Sequence, residues 1–127
     1  MGAQTVFVFI GGGFGAITRE LLMLLIPQQN GAFPLDIFTA NVVASFCLGA
    51  AFGLHRACQV SDEFMLLVGT GFCGGMSTFS SFAYGLLSEA MAPGQAGLAV
   101  LYGLSSLIVG YAAIRIGNES GKRLRRA

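Results

Sequence analysis

Residues 71–82 read Gly-Phe-Cys-Gly-Gly-Met-Ser-Thr-Phe-Ser-Ser-Phe and lie inside an uncharged stretch, residues 64–88. In hydrocarbon every backbone N–H and C=O must be paired, so irregular backbone survives there only where it is buried in protein, lines water or holds a ligand. Broken helices serve as ion and substrate sites because half-helix ends present unpaired backbone groups. We therefore predict a membrane helix that unwinds over residues 74–78 and a functional site at this break.

Two phenylalanines and two serines follow the predicted break. Phe79 and Phe82 are three residues apart, on one side of the resumed helix, and they flank Ser80 and Ser81. A phenyl ring has a positive edge, so a ring turned edge-on can replace part of the hydration of a small anion without supplying a full charge. Conduction requires binding that offsets dehydration and still releases the ion. This combination favours passage of a small anion.

Other polar residues fall within apolar stretches. Asn41 can bond either a neighbouring helix or a passing anion, and Tyr102 and Ser106, four residues apart, can continue a polar face with their hydroxyl groups. Arg19 is the only cation in a span that looks unpaired, since Glu20 points about 100° away around a helix. Arg19 is either a functional intramembrane charge or a side chain that snorkels to the interface.

The composition is that of an integral membrane protein. The chain has 127 residues, of which 54% are hydrophobic and 10% charged, and its mean hydropathy is +0.73. A membrane span needs about 20 predominantly apolar residues, and four such stretches can be drawn, at 4–26, 35–54, 65–90 and 96–116. We predict one all-α domain, residues 1–127, with four transmembrane helices. The short connections exclude a soluble domain that could bind nucleotide or nucleic acid.

Small residues four apart predict close helix contacts, at Gly11 and Gly15, at Gly49 and Gly53, and at Ser106 and Gly110. The three cysteines are widely spaced and favour neither a disulfide framework nor a metal site.

Basic residues mark one side of the membrane. By the positive-inside rule they place both termini in the cytoplasm, and the first apolar run is retained rather than cleaved as a signal peptide. The residues concerned are Arg56, Arg115, Lys122, Arg123, Arg125 and Arg126.

Four segments taken together resemble the CrcB/Fluc family of fluoride channels. They are Gly-Gly-Gly-Phe-Gly-Ala-Ile-Thr-Arg (11–19), the second helix centred on Asn41, Gly-Thr-Gly-Phe-Cys-Gly-Gly-Met-Ser-Thr-Phe-Ser-Ser-Phe (69–82) and the helix of Tyr102 and Ser106. The resemblance covers nearly the whole chain. It implies a multi-pass protein of the inner (plasma) membrane that lets F⁻ leave the cell passively and so lowers cytoplasmic fluoride.

The resemblance also implies an architecture and a set of roles. The subunits would form an antiparallel, dual-topology dimer with two pores, and the backbone carbonyls of Gly74 and Ser77 would hold a structural Na⁺ at its centre. The pore would be lined by Phe79, Phe82, Asn41, Ser80, Ser81, Tyr102 and Ser106, with Arg19 as the family's first-helix arginine.

Two features leave alternatives open. The basic tail favours one orientation, whereas dual topology requires little charge bias, so the partner is either a second copy or an oppositely oriented paralogue. In addition, residues 36–40 read Asp-Ile-Phe-Thr-Ala, which departs from the family's usual pattern before Asn41.

Two other functions fit the sequence less well. A proton-coupled exporter of the small multidrug type needs a carboxylate at mid-membrane, and Glu20 and Glu89 are near helix ends. A non-transporting scaffold subunit leaves the hydroxyl-rich break unexplained.

Overall fold

The computed structural model describes residues 2–27 and 32–124, and over these ranges it is helical, with no strand. The predicted basic residues Arg125 and Arg126 and part of the first connection lie outside the described residues. In chain order the elements are α1 (Ala3–Leu25), α2 (Leu35–Arg56), α3 (Asp62–Phe64), a π-helix (Met65–Phe72), α4 (Cys73–Met76), α5 (Phe79–Met91) and α6 (Ala96–Arg123). The all-α prediction is confirmed.

Three helices, α1, α2 and α6, are long and apolar enough to cross a membrane. The third apolar stretch is divided: α3, the π-helix and α4 form one helical segment, and α5 resumes after Ser77 and Thr78. The predicted break in the third helix is therefore present. Its two halves are each shorter than a full span.

α2 and α6 pack backbone to backbone through glycine. A Cβ added to Gly49 would overlap the Ile114 carbonyl, and one added to Gly53 would overlap the Asn118 carbonyl. The contacts advance together along both helices, so α2 and α6 run in the same direction. Small residues allow this approach where lipid removes the hydrophobic drive between helices.

The end predicted for the fourth helix, residue 116, was wrong. α6 continues to Arg123, because Gly117 and Gly121 lie against the backbone of α2 and extend the close contact by two turns. The predicted pair of Ser106 and Gly110 makes a looser contact: a Cβ on Gly110 would lie 3.8 Å from Ser45 Oγ.

α1 packs in the same manner on the first half of the third stretch. Gly11 lies against the Leu67 carbonyl and Gly15 against the Phe72 carbonyl, and both glycines are buried. These contacts also advance in one direction along both segments. The π-helical turns that carry Leu67 and Phe72 were not predicted, since π-helices occur as short insertions without a periodicity of their own.

Much apolar surface stays uncovered in a single subunit. No more than 33% of the most apolar window of α1, α2 or α6 is buried, and Phe9, Leu24 and Leu107 are among the exposed side chains. Exposed apolar surface of this extent requires lipid or another protein. The three cysteines, Cys47, Cys58 and Cys73, are free.

Candidate functional site

The break is confined to two residues. Ser77 (φ −74°, ψ 150°) and Thr78 (φ −146°, ψ 111°) are extended, whereas Gly74, Gly75 and Met76 belong to α4. The prediction that residues 74–78 are all unwound was therefore too wide. Glycine permits unwinding but does not require it, and the interruption falls where other groups capture the backbone.

Asn41 of α2 captures that backbone with both ends of its side-chain amide. The Thr78 N–H donates to Asn41 Oδ1 at 2.8 Å, and Asn41 Nδ2 donates to the Thr78 carbonyl at 3.4 Å. In a continuous helix the Thr78 amide would instead bond the Gly74 carbonyl. Asn41 thus replaces one helical hydrogen bond and holds the chain extended; we call this pair of bonds the Asn41 clamp.

Thr78 is the N-cap residue of α5, and its hydroxyl group contacts Ser80 and Ser81. Its Oγ1 accepts from the Ser81 N–H at 3.2 Å, which is the usual N-cap arrangement. The same hydroxyl lies 3.1 Å from Ser81 Oγ, to which it donates, and 3.3 Å from Ser80 Oγ. Thr78 is only 8% exposed. It was not among the predicted site residues, although a threonine directly before a resumed helix is a recognisable cap signal.

The predicted aromatic residues form a continuous series of rings. Phe79 and Phe82 have centroids 6.1 Å apart, and Phe82 and Tyr102 have centroids 5.3 Å apart. Phe33 meets Tyr102 edge-on at 5.3 Å and Phe38 at 5.2 Å, and this extension was not predicted because no sequence spacing relates residue 33 to residue 102. Phe79, at the other end of the series, is 81% exposed. The series thus passes from a buried tyrosine to the subunit surface.

Two hydroxyl groups of α6 lie buried without a partner among the described residues, those of Tyr102 and Ser106. Tyr102 is fully buried, and Ser105 Oγ donates to its carbonyl at 3.2 Å rather than to its hydroxyl. Buried polar atoms are nearly always hydrogen-bonded. An ion or water is the natural partner for these two.

Arg19 reaches the break from α1. Its Nη1 donates to the Gly75 carbonyl at 3.2 Å, and its Nη2 lies 3.3 Å from Glu20 Oε1. The guanidinium therefore satisfies one of the terminal carbonyls of α4, at the end of a helix where a cation is favoured. The expectation that Arg19 is unpaired and points away from Glu20 was wrong, because its long side chain lets it bond both groups.

Gly74 and Ser77 line one shallow surface groove of about 150 Å³ together with residues of α2. The Thr78 N–H, which would close the helical bond to the Gly74 carbonyl, is engaged by Asn41. The Ser77 carbonyl precedes the N-cap residue of α5 and has no helical partner. No cluster of three His, Cys, Asp or Glu side chains that could hold a metal is found among the described residues.

The burial of one carboxylate near the start of α2 was not predicted. Asp36, in the first turn of α2, is only 3% exposed. Each of the other described helical carboxylates also lies within two turns of a helix end. None is placed at the middle of a span, where a coupled exporter would need it.

Comparison with known proteins gives one consistent result. The family model described as "CrcB-like protein, Camphor Resistance (CrcB)" matches residues 6–118. The "Fluoride-specific ion channel FluC 3" of Yersinia pseudotuberculosis is 41% identical over 118 residues, which cover 93% of this chain and 88% of that protein.

Two further relatives carry the same type of name. The "Fluoride-specific ion channel FluC" of Ignicoccus hospitalis is 38% identical over 94% of this chain and 95% of its own length. The "Fluoride-specific ion channel FluC 1" of Brucella abortus is 45% identical over 93% of this chain, but the match spans only 44% of that protein.

Proposed function

The chain belongs to the CrcB family, and from that premise we propose that it is a fluoride-selective channel through which F⁻ passes down its gradient. The observation that carries the proposal is the break at Ser77 and Thr78, which the Asn41 clamp holds open beside a series of aromatic rings. Its relatives are named as ion channels, and the chain is an ion channel rather than an enzyme.

The hydroxyl groups at the start of α5 supply donors for a dehydrated anion. Because Thr78 Oγ1 donates to Ser81 Oγ, the Ser81 hydroxyl keeps its own hydrogen for another acceptor. Ser80 is exposed, and its hydroxyl hydrogen either bonds Thr78 Oγ1 or turns to another acceptor. Asn41 Nδ2 carries a second hydrogen beyond the one used in the clamp, so Asn41 can still act as a pore-lining donor.

The rings of Phe79 and Phe82 offer positive edges beside these donors, and the unpartnered hydroxyl groups of Tyr102 and Ser106 continue the polar path along α6. None of these groups carries a full positive charge, so binding stays weak enough for release. Arg19 acts indirectly: it holds the end of α4 through its hydrogen bond to the Gly75 carbonyl.

Phe79→Ile and Phe82→Ile are each expected to lower fluoride flux about tenfold or more while the protein stays folded, since isoleucine fills space but has no positive edge. The measurement is fluoride efflux from liposomes at equal protein density, with the size-exclusion profile as a check on folding. Leu87→Ile, a change on the exposed surface of α5, serves as the control and should leave flux unchanged. Normal flux in both phenylalanine variants would remove the rings from the mechanism.

The direction of the helices supports four crossings. Since α2 and α6 run in the same direction, the chain between them must return across the membrane, and residues 62–91 are the segment available to do so. Phe79 and Gly74 are exposed in the single subunit, which leaves them free for a second subunit to cover. We place this subunit in an antiparallel homodimer in the inner membrane, with an oppositely oriented paralogue as the other possible partner.

We propose that a structural Na⁺ binds in the groove at Gly74 and Ser77. A hard cation takes oxygen ligands, and the end of α4 presents carbonyl groups that helical bonding leaves free. Two carbonyls from one subunit are too few for a complete shell, so two copies of the chain facing each other would have to supply the ligands. Bound there, Na⁺ would fix the two breaks relative to each other.

Protein purified and reconstituted wholly in N-methylglucamine salts is expected to lose most of its fluoride flux and to regain it when Na⁺ is added, because the large organic cation cannot enter a carbonyl shell. Lithium and potassium salts at the same ionic strength are the controls for the effect of cation size. Equal fluoride flux with and without Na⁺ would contradict the proposed sodium site.

The proposed function can be tested in cells that lack their own fluoride channel. Expression of this chain should restore growth in fluoride medium, most clearly at acidic external pH, where neutral HF enters and F⁻ is trapped inside. The vector without insert and the double variant of Phe79→Ile and Phe82→Ile are the controls. Failure of a well-expressed chain to lower cytoplasmic fluoride would count against the proposal.

A further inference from the structure

The last two turns of α6 combine charge and exposure in a way that ion conduction does not use. Arg115, Glu119 and Arg123 succeed one another at four-residue intervals and so share one helix face. With Ile116 and Ser120 they line a surface groove of about 280 Å³; we call it the basic groove.

The acidic member of the basic groove is already paired. Lys122 Nζ lies 2.8 Å from Glu119 Oε1, whereas no described carboxylate oxygen lies within 4.0 Å of Arg115 or Arg123. Arg115 uses one nitrogen to donate to the Tyr111 hydroxyl at 3.2 Å. Two arginines and one carboxylate, which Lys122 already pairs, leave the groove positive, with guanidinium donors still available.

The surface next to the basic groove is apolar. Leu107, Ile108 and Ile116 are each at least 60% exposed on α6, and Tyr111 is 64% exposed at the boundary with the charged turns. Tyrosine is enriched where a membrane helix leaves the hydrocarbon for the headgroup layer. One exposed helix face therefore passes from a hydrocarbon-facing surface through an interfacial tyrosine to a pair of arginines.

The same end of the bundle carries further positive charge. Because α2 and α6 run in the same direction and Gly53 packs on Asn118, the exposed Arg56 at the end of α2 lies at the same level of the bundle as the last turns of α6. Arg125 and Arg126 follow in the sequence. Basic clusters next to the membrane surface attract anionic lipid.

We propose that the basic groove binds the phosphate group of an anionic phospholipid, with the acyl chains lying along the apolar face of α6. Arginine suits this role because its planar donor fork matches phosphate oxygens in two-point contacts. Phosphate in the groove could come from a lipid headgroup or from free phosphate in solution, and the continuous apolar face below the arginines favours the lipid. This inference does not depend on which ion the protein conducts.

The test is native mass spectrometry of the intact purified protein in detergent, titrated with phosphatidylglycerol and, separately, with phosphatidylcholine of the same acyl chains. Wild-type protein is expected to prefer phosphatidylglycerol about tenfold or more, since each basic residue near the surface contributes about fivefold. The double variant of Arg115→Gln and Arg123→Gln should lose that preference. Arg56→Gln, which changes a charge outside the groove, should keep most of it.

Three outcomes would overturn the proposal. The first is an unchanged lipid preference in the double variant, and the second is an equally large loss in Arg56→Gln, which would indicate diffuse attraction by net charge. The third is displacement of phosphatidylglycerol by equimolar inorganic phosphate, which would identify a site for the free anion. Fluoride flux of the double variant in phosphatidylcholine liposomes should match that of wild type, and this confirms that the variant is folded.

Discussion

Asn41→Ala is expected to lower fluoride efflux roughly 30- to 100-fold in protein that still assembles. The substitution removes both bonds of the Asn41 clamp and leaves the Thr78 N–H without its partner at 2.8 Å. A buried donor left unsatisfied costs about 1–3 kcal/mol, and about 1.4 kcal/mol corresponds to a factor of ten in an equilibrium. The conducting geometry of the break would therefore become a minor state.

The flux of Asn41→Ala should be measured together with hydrogen exchange of the Thr78 amide. If Asn41 acts through the clamp, this amide will exchange faster as flux falls. Val43→Ala, two residues further along α2 and outside the clamp, changes an exposed side chain; it is the matched control and should change neither quantity. Loss of flux with unchanged protection of Thr78 would assign Asn41 a role as anion donor alone.

Gly15→Ala is expected to destabilise the subunit by about 2–3 kcal/mol, the upper range for overpacking. The added Cβ would overlap the Phe72 carbonyl oxygen and approach the Met76 amide at 2.8 Å. Neither neighbour can move away as a side chain can, so α1 and the segment 62–76 must separate. That movement would also pull Arg19 from the Gly75 carbonyl, so flux should fall as well.

Thermal unfolding in detergent measures the stability effect, and Gly13→Ala is the matched control. Gly13 is two residues away on the same helix, and a Cβ there would meet nothing within 4 Å. Alanine favours helix over glycine by about 1 kcal/mol, so the control should be as stable as wild type or slightly more so. Equal unfolding midpoints for Gly13→Ala and Gly15→Ala would contradict the packing of α1 described here.

The positions of the helices could be predicted from the sequence, because the length of a membrane-spanning helix follows the length of its run of apolar residues. The predicted starts and ends of α1 and α2 differ from the structure by no more than two residues. The break was also predictable, since hydroxyl residues and glycines in the middle of an apolar run favour interruption. The predicted ring pair of Phe79 and Phe82 and the ring of Tyr102 do meet.

Several features depended on tertiary partners that one sequence does not reveal. The break is narrower than predicted because Asn41 engages Thr78, and the two residues are 37 positions apart. Gly117 and Gly121 extended α6 by packing on α2, at a point where falling hydropathy indicated a helix end. The burial of Asp36 likewise follows from its neighbours in space rather than from its place near a helix start.

The break and the basic groove lie on different parts of the subunit. Variants at the two places therefore test two different properties, conduction and lipid preference. Changes at Asn41, Phe79 or Phe82 should alter conduction without altering lipid preference. Changes at Arg115 and Arg123 should alter lipid preference without altering conduction. A protein in which either set of variants moved both properties would require a coupling that the described contacts do not provide.

The most direct measurement of the central claim is passive anion efflux from liposomes that carry the purified protein. Liposomes are loaded with potassium fluoride or potassium chloride, valinomycin releases the potassium, and ion-selective electrodes follow each anion without an imposed proton gradient. We predict rapid loss of fluoride with chloride retained. Retention of fluoride by correctly folded protein, or loss of chloride at the same rate, would contradict the assignment of a fluoride-selective channel.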